Sequence, residues 1–569
     1  MKILIKKHAR IITIIVLILI AGLLRFTYLD RIPTAITGDE LVYALTTKSV
    51  VLTGHDITGT WNPLSVFLFH YPPSERQAEL PYFMELPFAG LLPFSLFAVR
   101  LPFALFSIGI VLLLFGITEK IVGKREALAV GLVSAVNPWL IFIGRTGYES
   151  TLAAFFYLLG LYLLITLRKN TILCTIPVFF LAFYSYIGTK LIFLPLVLLF
   201  CAFAARLNPK DKKYYAMLIL SAILLTLFFV FSLYTSSKGQ SRMSEILMPD
   251  WRKISSQVDE ARRVTLPNRF TTLFINKWTL FMQILAERFF RIFSTQYLFL
   301  HGDQFFSIWK HGFFYIIDFF FLAIGIGTVF SHGSSIGILV FGSVILSTFV
   351  HVFNTTNGDF SPHVALMFPF MLLTIGAGIT WCVNLFPKKI RSIGIFLVFM
   401  LYLYSIGNFI TIYFFQHPLE GSSDFPVRLL TRYLQIAKRG NKQIIVYTNR
   451  ASDIVKKYVF YTNTLNLKTI PVFHAIQSGN PIAFDGILFG SCDVNPVPIN
   501  TIAVYDAICD PKINGQHIDI IRLTDGGPLY RIVNDDICRT TIKTSQMTLD
   551  DLRIFSMTDK RFCAVYTRN

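Results

Sequence analysis

Apolar residues run along this chain in long unbroken blocks, not in the alternating or helical-period patterns of a soluble fold. Crossing a bilayer takes about 20 apolar residues. Eleven blocks approach that length, at roughly 11–29, 101–118, 127–143, 151–167, 171–187, 191–205, 214–235, 312–330, 336–353, 364–383 and 392–414. A twelfth, 82–98, is punctuated by Pro81, Pro87 and Pro93 and holds Glu85. Proline removes a backbone donor and crowds the preceding turn, so this stretch reads as a re-entrant or interfacial helix. The first block lacks a convincing small-x-small cleavage site, so it reads as an uncleaved first span and not as a signal peptide.

The polar pieces between the blocks set the orientation. With the N-terminus in the cytoplasm, the cytoplasmic pieces are Lys2–Arg10, EKIVGKRE, LRKN, RLNPKDKKYY, SHGSS and FPKKIR, and all but SHGSS are basic. The opposite short loops, GRTGYES, the SYIGTK region and NTTNGDFSPH, carry one, one and zero Lys/Arg. This is the expected positive-inside asymmetry, and counting 82–98 as a full span would reverse it. The reading is a polytopic α-helical membrane protein of about 11 transmembrane helices over residues 1–415. Its outer loops lie at 30–100, 144–150, 236–311 and 354–363.

From about residue 416 the pattern changes. QIIVYTN, GILFG, NTIAVYD and IDIIRL read as strands, while PVRLLTRYLQIAKRG and ASDIVKKYVFYTN read as helices. Residues 416–569 are therefore expected to form a small extracytoplasmic α/β domain. No internal repeat and no phosphate-cradling glycine motif occurs.

Composition agrees. The chain has 569 residues, of which 54% are hydrophobic and 15% charged, against the roughly 25% charged of soluble domains. The net charge of +19 fits cations at helix ends facing anionic lipid, so no nucleic-acid partner is expected. Cys174, Cys201 and Cys382 fall in apolar runs, whereas Cys492, Cys509, Cys538 and Cys563 fall in the polar tail. No zinc-type spacing is present. The four tail cysteines suggest disulfides, most plausibly Cys492–Cys509 and Cys538–Cys563, in an oxidising compartment.

The candidate chemistry lies in the outer loops. Asp39 and Glu40 follow the first span in TAITGDELVYAL. They read either as acids in the first turn of a capped helix or as catalytic carboxylates. Arg145 and Glu149 are four apart in GRTGYES and share a face if that segment is helical. FLHGDQ supplies His301 and Asp303, and the loop before residue 364 supplies Asp359 and His363. Arg100, and Arg288 with Arg291 in AERFFRIF, are further cations at the outer boundary. Lipid-headgroup anchoring is the alternative role for each of these arginines, and structural packing is the alternative for the histidines. Asn354 begins a sequon-like NTT.

Three stretches, GDELVYALTTKSVVLTGHDITGTWNP, FAVRLPFALFSIGIVLLLFGI and NPWLIFIGRTGYESTLAAFFYLLGLYLL, resemble GT-C membrane glycosyltransferases. The branch is that of protein O-mannosyltransferases and the lipid A aminoarabinose transferase. YSYIGTKLIFLP, YLFLHGDQ and SPHVALMFPFMLLTIGAG echo it in the same order, so the resemblance covers about residues 20–380. It implies an inverting transfer of a sugar from a polyprenyl-phosphate donor to a hydroxyl on a protein, lipid or glycan at the outer membrane face. Asp39 matches the family's base, Glu40 its neighbour, and Glu149 the acid of the second outer loop, which could hold a divalent metal. Relatives carry a Lys-Pro-Pro stretch late in the first loop. Here HYPPSERQAELPYF has no lysine, and Arg76 and Glu79 are the nearest charged residues.

Such a reaction needs one carboxylate to take the hydroxyl proton. It also needs cations, or a metal, to receive the departing phosphate. Arg145, Arg100, Arg76, His363 and Asp303 are the candidate substrate-binding groups. A transporter or flippase of lipid-linked sugar would instead place charges at the bilayer midplane, with inverted repeats. A non-catalytic membrane scaffold would account for the tail domain but not for the loop acids.

Overall fold

The structure, a computed structural model, describes residues 2–57, 59, 78–235, 250–266, 268–303, 310–354, 360–420, 424–440, 442–475, 482–492, 500–509, 517–535, 537–538 and 547–568. Among them, eight helices are long and apolar enough to cross a membrane. They are His8–Phe26, Leu96–Ile121, Glu149–Thr166, Gly188–Leu207, Pro209–Thr235, Ser334–Phe353, Met367–Leu385 and Arg391–Leu419. Lys169–Ser185 and Ile316–Ser331 are apolar but shorter. The block expected at 127–143 divides into Lys124–Val136 and Pro138–Ile143. Pro138 has no N–H to continue the first helix. Asn137 starts the second by accepting from Leu140 N at 3.0 Å, and its amide donates to the Phe313 carbonyl at 3.0 Å.

The proline-rich stretch does not form a single helix. Leu80–Glu85 is one short helix, Leu86–Gly90 is a π-helical turn, and the chain then breaks. Ser95 caps the next helix by accepting from Ala98 N at 3.1 Å. The following span therefore begins at Leu96, inside the stretch read as interfacial.

Helices pack most closely where side chains vanish. A Cβ on Gly378 would lie 2.0 Å from the Phe321 carbonyl oxygen, and one on Gly325 would lie 2.0 Å from that of Thr374. Ile316–Ser331 and Met367–Leu385 thus touch backbone to backbone, the small-residue contact favoured where lipid removes the hydrophobic drive for association.

The C-terminal part holds a seven-stranded mixed sheet. Its strands are β1 (Gln443–Tyr447), β2 (Ile482–Phe484), β3 (Ile487–Gly490), β4 (Thr501–Asp506), β5 (His517–Ile521), β6 (Pro528–Val533) and β7 (Thr567–Arg568), in the order β2-β3-β1-β4-β6-β5-β7. β1 runs parallel to β3 and β4, and the other pairings are antiparallel. Every residue of β4 is buried, as a central strand covered on both faces requires. The four expected strands and both expected helices, now Phe425–Ala437 and Ala451–Thr462, are present. β2, β6 and β7 are additional. Disulfides join Cys492 to Cys509 and Cys538 to Cys563, with Cα atoms 5.3 and 5.2 Å apart.

This domain is seated on the loop after the first span. One hydrophobic core contains Ile36, Leu41, Leu45 and Phe94 from the loop together with Phe425, Leu429, Tyr458 and Phe460 from the domain. Phe94 meets Phe460 at 5.1 Å between ring centroids, and Phe94 N donates to Asn463 Oδ1 at 3.0 Å. Tyr461 Oη accepts from Ile36 N at 2.9 Å, and Arg428 donates to the Thr34 carbonyl. Arg31–Asp550 at 2.9 Å and Arg553–Asp30 at 3.1 Å close the rim.

Truncating a buried phenylalanine costs about 3–5 kcal/mol. Phe460→Ala should therefore lower the melting temperature of the solubilised full chain and open the 30–57 segment to protease. Unchanged melting and proteolysis would place the stabilising contacts elsewhere.

Candidate active site

Thr37 caps the helix Gly38–Thr53, and Glu40 completes a capping box, its Oε2 accepting from Thr37 N at 2.8 Å. The acids of the dipeptide point different ways, because successive helical residues diverge by about 100°. Glu40 is fully buried. Its Oε1 accepts from Arg100 Nε at 3.0 Å and from Gly147 N at 2.8 Å. Gly147 permits that approach: a Cβ there would lie 2.8 Å from Glu40 Cγ. Arg100 is also fully buried, and its remaining nitrogens donate to the Pro33 and Ala35 carbonyls at 2.8 and 2.7 Å. Glu40 and Arg100 thus form a buried internal ion pair. Glu40 accepts three hydrogen bonds, and each nitrogen of Arg100 donates to a protein oxygen.

Asp39 remains partly exposed at the start of the helix. One turn on, the buried Tyr43 hydroxyl donates to Glu149 Oε2 and accepts from Ala78 N at 3.3 Å. Tyr82 packs edge-on against Tyr43 at 5.0 Å. Burial, then Glu149, Tyr82 and Asp39, push the Tyr43 phenol well above its usual range. Burial and then Asp39 do the same to Tyr148. Both phenols therefore stay protonated beside the carboxylates. Asp39, Tyr43, Tyr148 and Glu149 form one cluster at the junction of loop and bundle.

Arg145 and Glu149 do not share a helical face. The helix begins at Glu149, and Arg145 sits in the preceding turn. Arg145 is fully buried, donating to the Leu24, Arg25 and Ile32 carbonyls at 3.0, 2.9 and 2.9 Å under Phe414. It ties the end of the first span to the loop, and its Nε has no hydrogen-bond partner among the described residues. Asp303 is buried and accepts from Ser361 N at 2.6 Å, joining two loops. His301 is exposed. Arg76 and Asp359 lie outside the described residues.

A second polar cluster adjoins the first. Lys190 Nζ lies 3.2 Å from both Glu79 oxygens, buried among Phe183, Tyr184 and Phe229. Ala78 and Glu79 are consecutive, so the Tyr43 and Lys190 contacts share a backbone. Tyr186, four residues before Lys190, stacks on His363 at 6.3 Å. Asn354 Nδ2 donates to His363 Nε2 at 3.1 Å, and Arg288 donates to the Asn354 carbonyl at 2.5 Å. Burial and then His351 push His363 down to about 3, so it is neutral near pH 7. The sequence reading missed Tyr43, Tyr148, Lys190 and the environment of Glu85. The one available signal was the i, i+4 spacing of Asp39 and Tyr43.

Among the described residues, no group of three or more His, Cys, Asp or Glu is placed to hold a metal. Glu149, the expected metal carboxylate, is engaged by Tyr43. No step below is routed through a metal.

No protein-family model matches the chain, and no curated protein matches it either. Among solved structures it is similar to the Archaeoglobus fulgidus oligosaccharyltransferase tethered to an acceptor peptide, at 11% identity and TM-score 0.47, over 93% of this chain and 74% of that one. It is also similar to AglB of the same organism in complex with an inhibitory peptide and a dolichol-phosphate, at 12% and 0.47, over 93% and 75%. A third is ArnT from Cupriavidus metallidurans bound to undecaprenyl phosphate, at 10% and 0.45, over 91% and 97%. At these values the likeness assigns no residue, and the roles below rest on this chain's own geometry.

Glu85 is fully buried, and neither carboxylate oxygen has a hydrogen-bond partner among the described residues. Burial, then the Glu40 charge, raise its pKa well above the usual value. Below the unfolded-state value near 4.5, both states hold the proton. Above it the unfolded state releases the proton while the folded state keeps it, so the native chain loses stability as pH rises. Glu85→Gln removes that loss. Its melting temperature should match the native chain at acid pH and exceed it by a growing margin toward neutrality; a pH-independent difference would reject the protonated assignment.

Proposed function

We propose that this chain is a membrane glycosyltransferase that moves a sugar from a polyprenyl-phosphate donor to a hydroxyl acceptor on the extracytoplasmic face, with inversion. The observation that carries the reading is the division of labour within the acidic dipeptide. Glu40 is locked to Arg100 and Gly147, while its neighbour Asp39 is held half-exposed on the helix that this lock immobilises. A preorganised carboxylate of that kind suits general-base catalysis.

In the reaction, the acceptor oxygen attacks the anomeric carbon and its proton passes to Asp39. The bond from that carbon to the phosphate oxygen breaks, and the electron pair leaves with the polyprenyl phosphate. The leaving group departs as an anion, so it needs cations instead of a proton. Arg288, beside Asn354 and the neutral His363, is the proposed contact for that phosphate. Glu149 and the protonated Tyr43 and Tyr148 orient the acceptor.

The reading also places the α/β domain outside the cell, supported by its two disulfides and by the basic loops at the other face of the bundle. With Cys174, Cys201 and Cys382 replaced, an impermeant thiol reagent should label Asp525→Cys in intact cells and leave Lys388→Cys unmodified. The reverse pattern would turn the proposed site to the cytoplasm.

Purified protein offered a panel of polyprenyl-phosphate sugars should release polyprenyl phosphate. Asp39→Asn should cut that turnover by on the order of 10²–10⁴ with little change in donor binding or melting temperature. Glu40→Gln should act oppositely, destabilising the fold by about 3–5 kcal/mol because Arg100 is left buried without its counter-charge. Full turnover by a folded Asp39→Asn variant would overturn the assignment.

A further inference from the structure

Residues 250–266 and 268–292 form a helical hairpin, Trp251–Arg263 and Lys277–Ile292, with the short helix Thr271–Phe274 between them. Its first helix buries only Ile254 and Val258. Trp251 packs on Trp278 and Phe281 at 5.4 and 5.6 Å, and both tryptophans remain exposed. At the tip, Val264, Leu266, Phe270, Leu273 and Phe274 are between 61% and 86% exposed. Five large apolar side chains within eleven residues, left uncovered by the described protein, mark an interaction surface. The hairpin bears eight Lys/Arg against four Asp/Glu.

An open cavity of about 690 Å³ lies where the two helices meet the turn, lined by Arg262, Lys277, Asn276, Thr279, Ser255 and Asp259 among others. Arg262 Nε donates to the Ile275 carbonyl at 2.9 Å, which fixes the guanidinium and leaves its amino groups. Among the described residues, neither Arg262 nor Lys277 enters an ion pair. The base of the hairpin is fastened to the spanning bundle through Arg288 and the Asn354 carbonyl.

We propose that the hairpin docks into the membrane surface. Its apolar tip side chains, Val264, Leu266, Phe270, Leu273 and Phe274, enter the interfacial layer, and Arg262 with Lys277 receives the phosphate of an anionic phospholipid headgroup in the groove. Three observations choose lipid over a protein partner: the excess of cations, the exposed tryptophans Trp251 and Trp278, a residue type that favours the membrane interface, and the direct continuity with a membrane-spanning bundle. Lys277 and Arg288 are eleven residues apart on one helix, about 17 Å along its axis. The headgroup groove is therefore separate from the proposed donor-phosphate contact. The inference rests on the membrane-spanning fold and not on glycosyl transfer.

The test uses the full chain in nanodiscs of phosphatidylcholine, with or without phosphatidylglycerol. A benzophenone amino acid replaces Phe274 in one variant and Thr279 in another, and adducts are read by mass spectrometry. Lipid adducts are expected at 274 in both discs. At 279, phosphatidylglycerol adducts should exceed its mole fraction several-fold, and Arg262→Gln with Lys277→Gln should abolish that excess while leaving the adducts at 274. Absence of lipid adducts at 274 overturns the docking. Adducts at 279 in proportion to mole fraction, or an excess that survives the double substitution, overturn the headgroup assignment. Polyprenyl phosphate release by the double variant, measured alongside, reports on the donor site independently.

Discussion

The buried pair of Glu40 and Arg100 is the constraint on which the loop face of this protein depends. Moving both charges out of water costs several kcal/mol per ion, and attraction between them offsets that only when their other donors and acceptors are also satisfied. Here they are. Glu40 accepts from Arg100, Gly147 and Thr37, while Arg100 also donates to two carbonyls of the 33–35 segment. One ion pair thereby joins the start of the first outer loop, the helix bearing Asp39, the Leu96–Ile121 span and the turn before Glu149. No one of these segments can shift without orphaning a buried charge.

The same device recurs nearby. Arg145 holds the carbonyls at the end of the first span, and Arg428 reaches from the α/β domain to the Thr34 carbonyl. Each guanidinium replaces the water that loop carbonyls would otherwise need. The domain then covers the loop with a shared apolar core, and Tyr461 satisfies Ile36 N at the threshold of the capped helix. For the proposed reaction the consequence is preorganisation: a carboxylate held by packing loses less on reaching its reactive geometry. The fixed loop, with its attached domain, contrasts with the hairpin at 250–292, whose tip has little protein around it.

Much of the architecture was legible. Length and polarity of the blocks locate the eight long apolar helices of the described residues, three fewer than the eleven spans expected, and alternating β-branched runs identify β1, β3, β4 and β5. The misreadings have specific causes. The helix beginning at Leu96 reads as starting at 101 in sequence because residues up to 98 belong to the proline-punctuated stretch taken as interfacial. β2, β6 and β7 are short or flanked by turn residues, and they exist as strands because neighbours offer an edge. At the site, Asp39 and Glu40 were legible as a pair but not as two different groups. Arg100 and Arg145 read as phosphate ligands because a cation near an apolar boundary looks the same in sequence whether it meets lipid, substrate or backbone carbonyls.

Alone, the sequence determined that this chain crosses a membrane many times, that basic loops gather on one face, and that a disulfide-bearing α/β unit follows. Those properties are sums over local composition: transfer of apolar blocks into lipid, charge asymmetry and strand periodicity. Tertiary structure alone decided which acid is buried, which arginines are buried against backbone carbonyls, and that Tyr43 joins Glu149 across more than a hundred residues of chain. Desolvation and hydrogen-bond partnership arise from what packs against a group. Neighbours distant in sequence set them, so no window along the chain contains them.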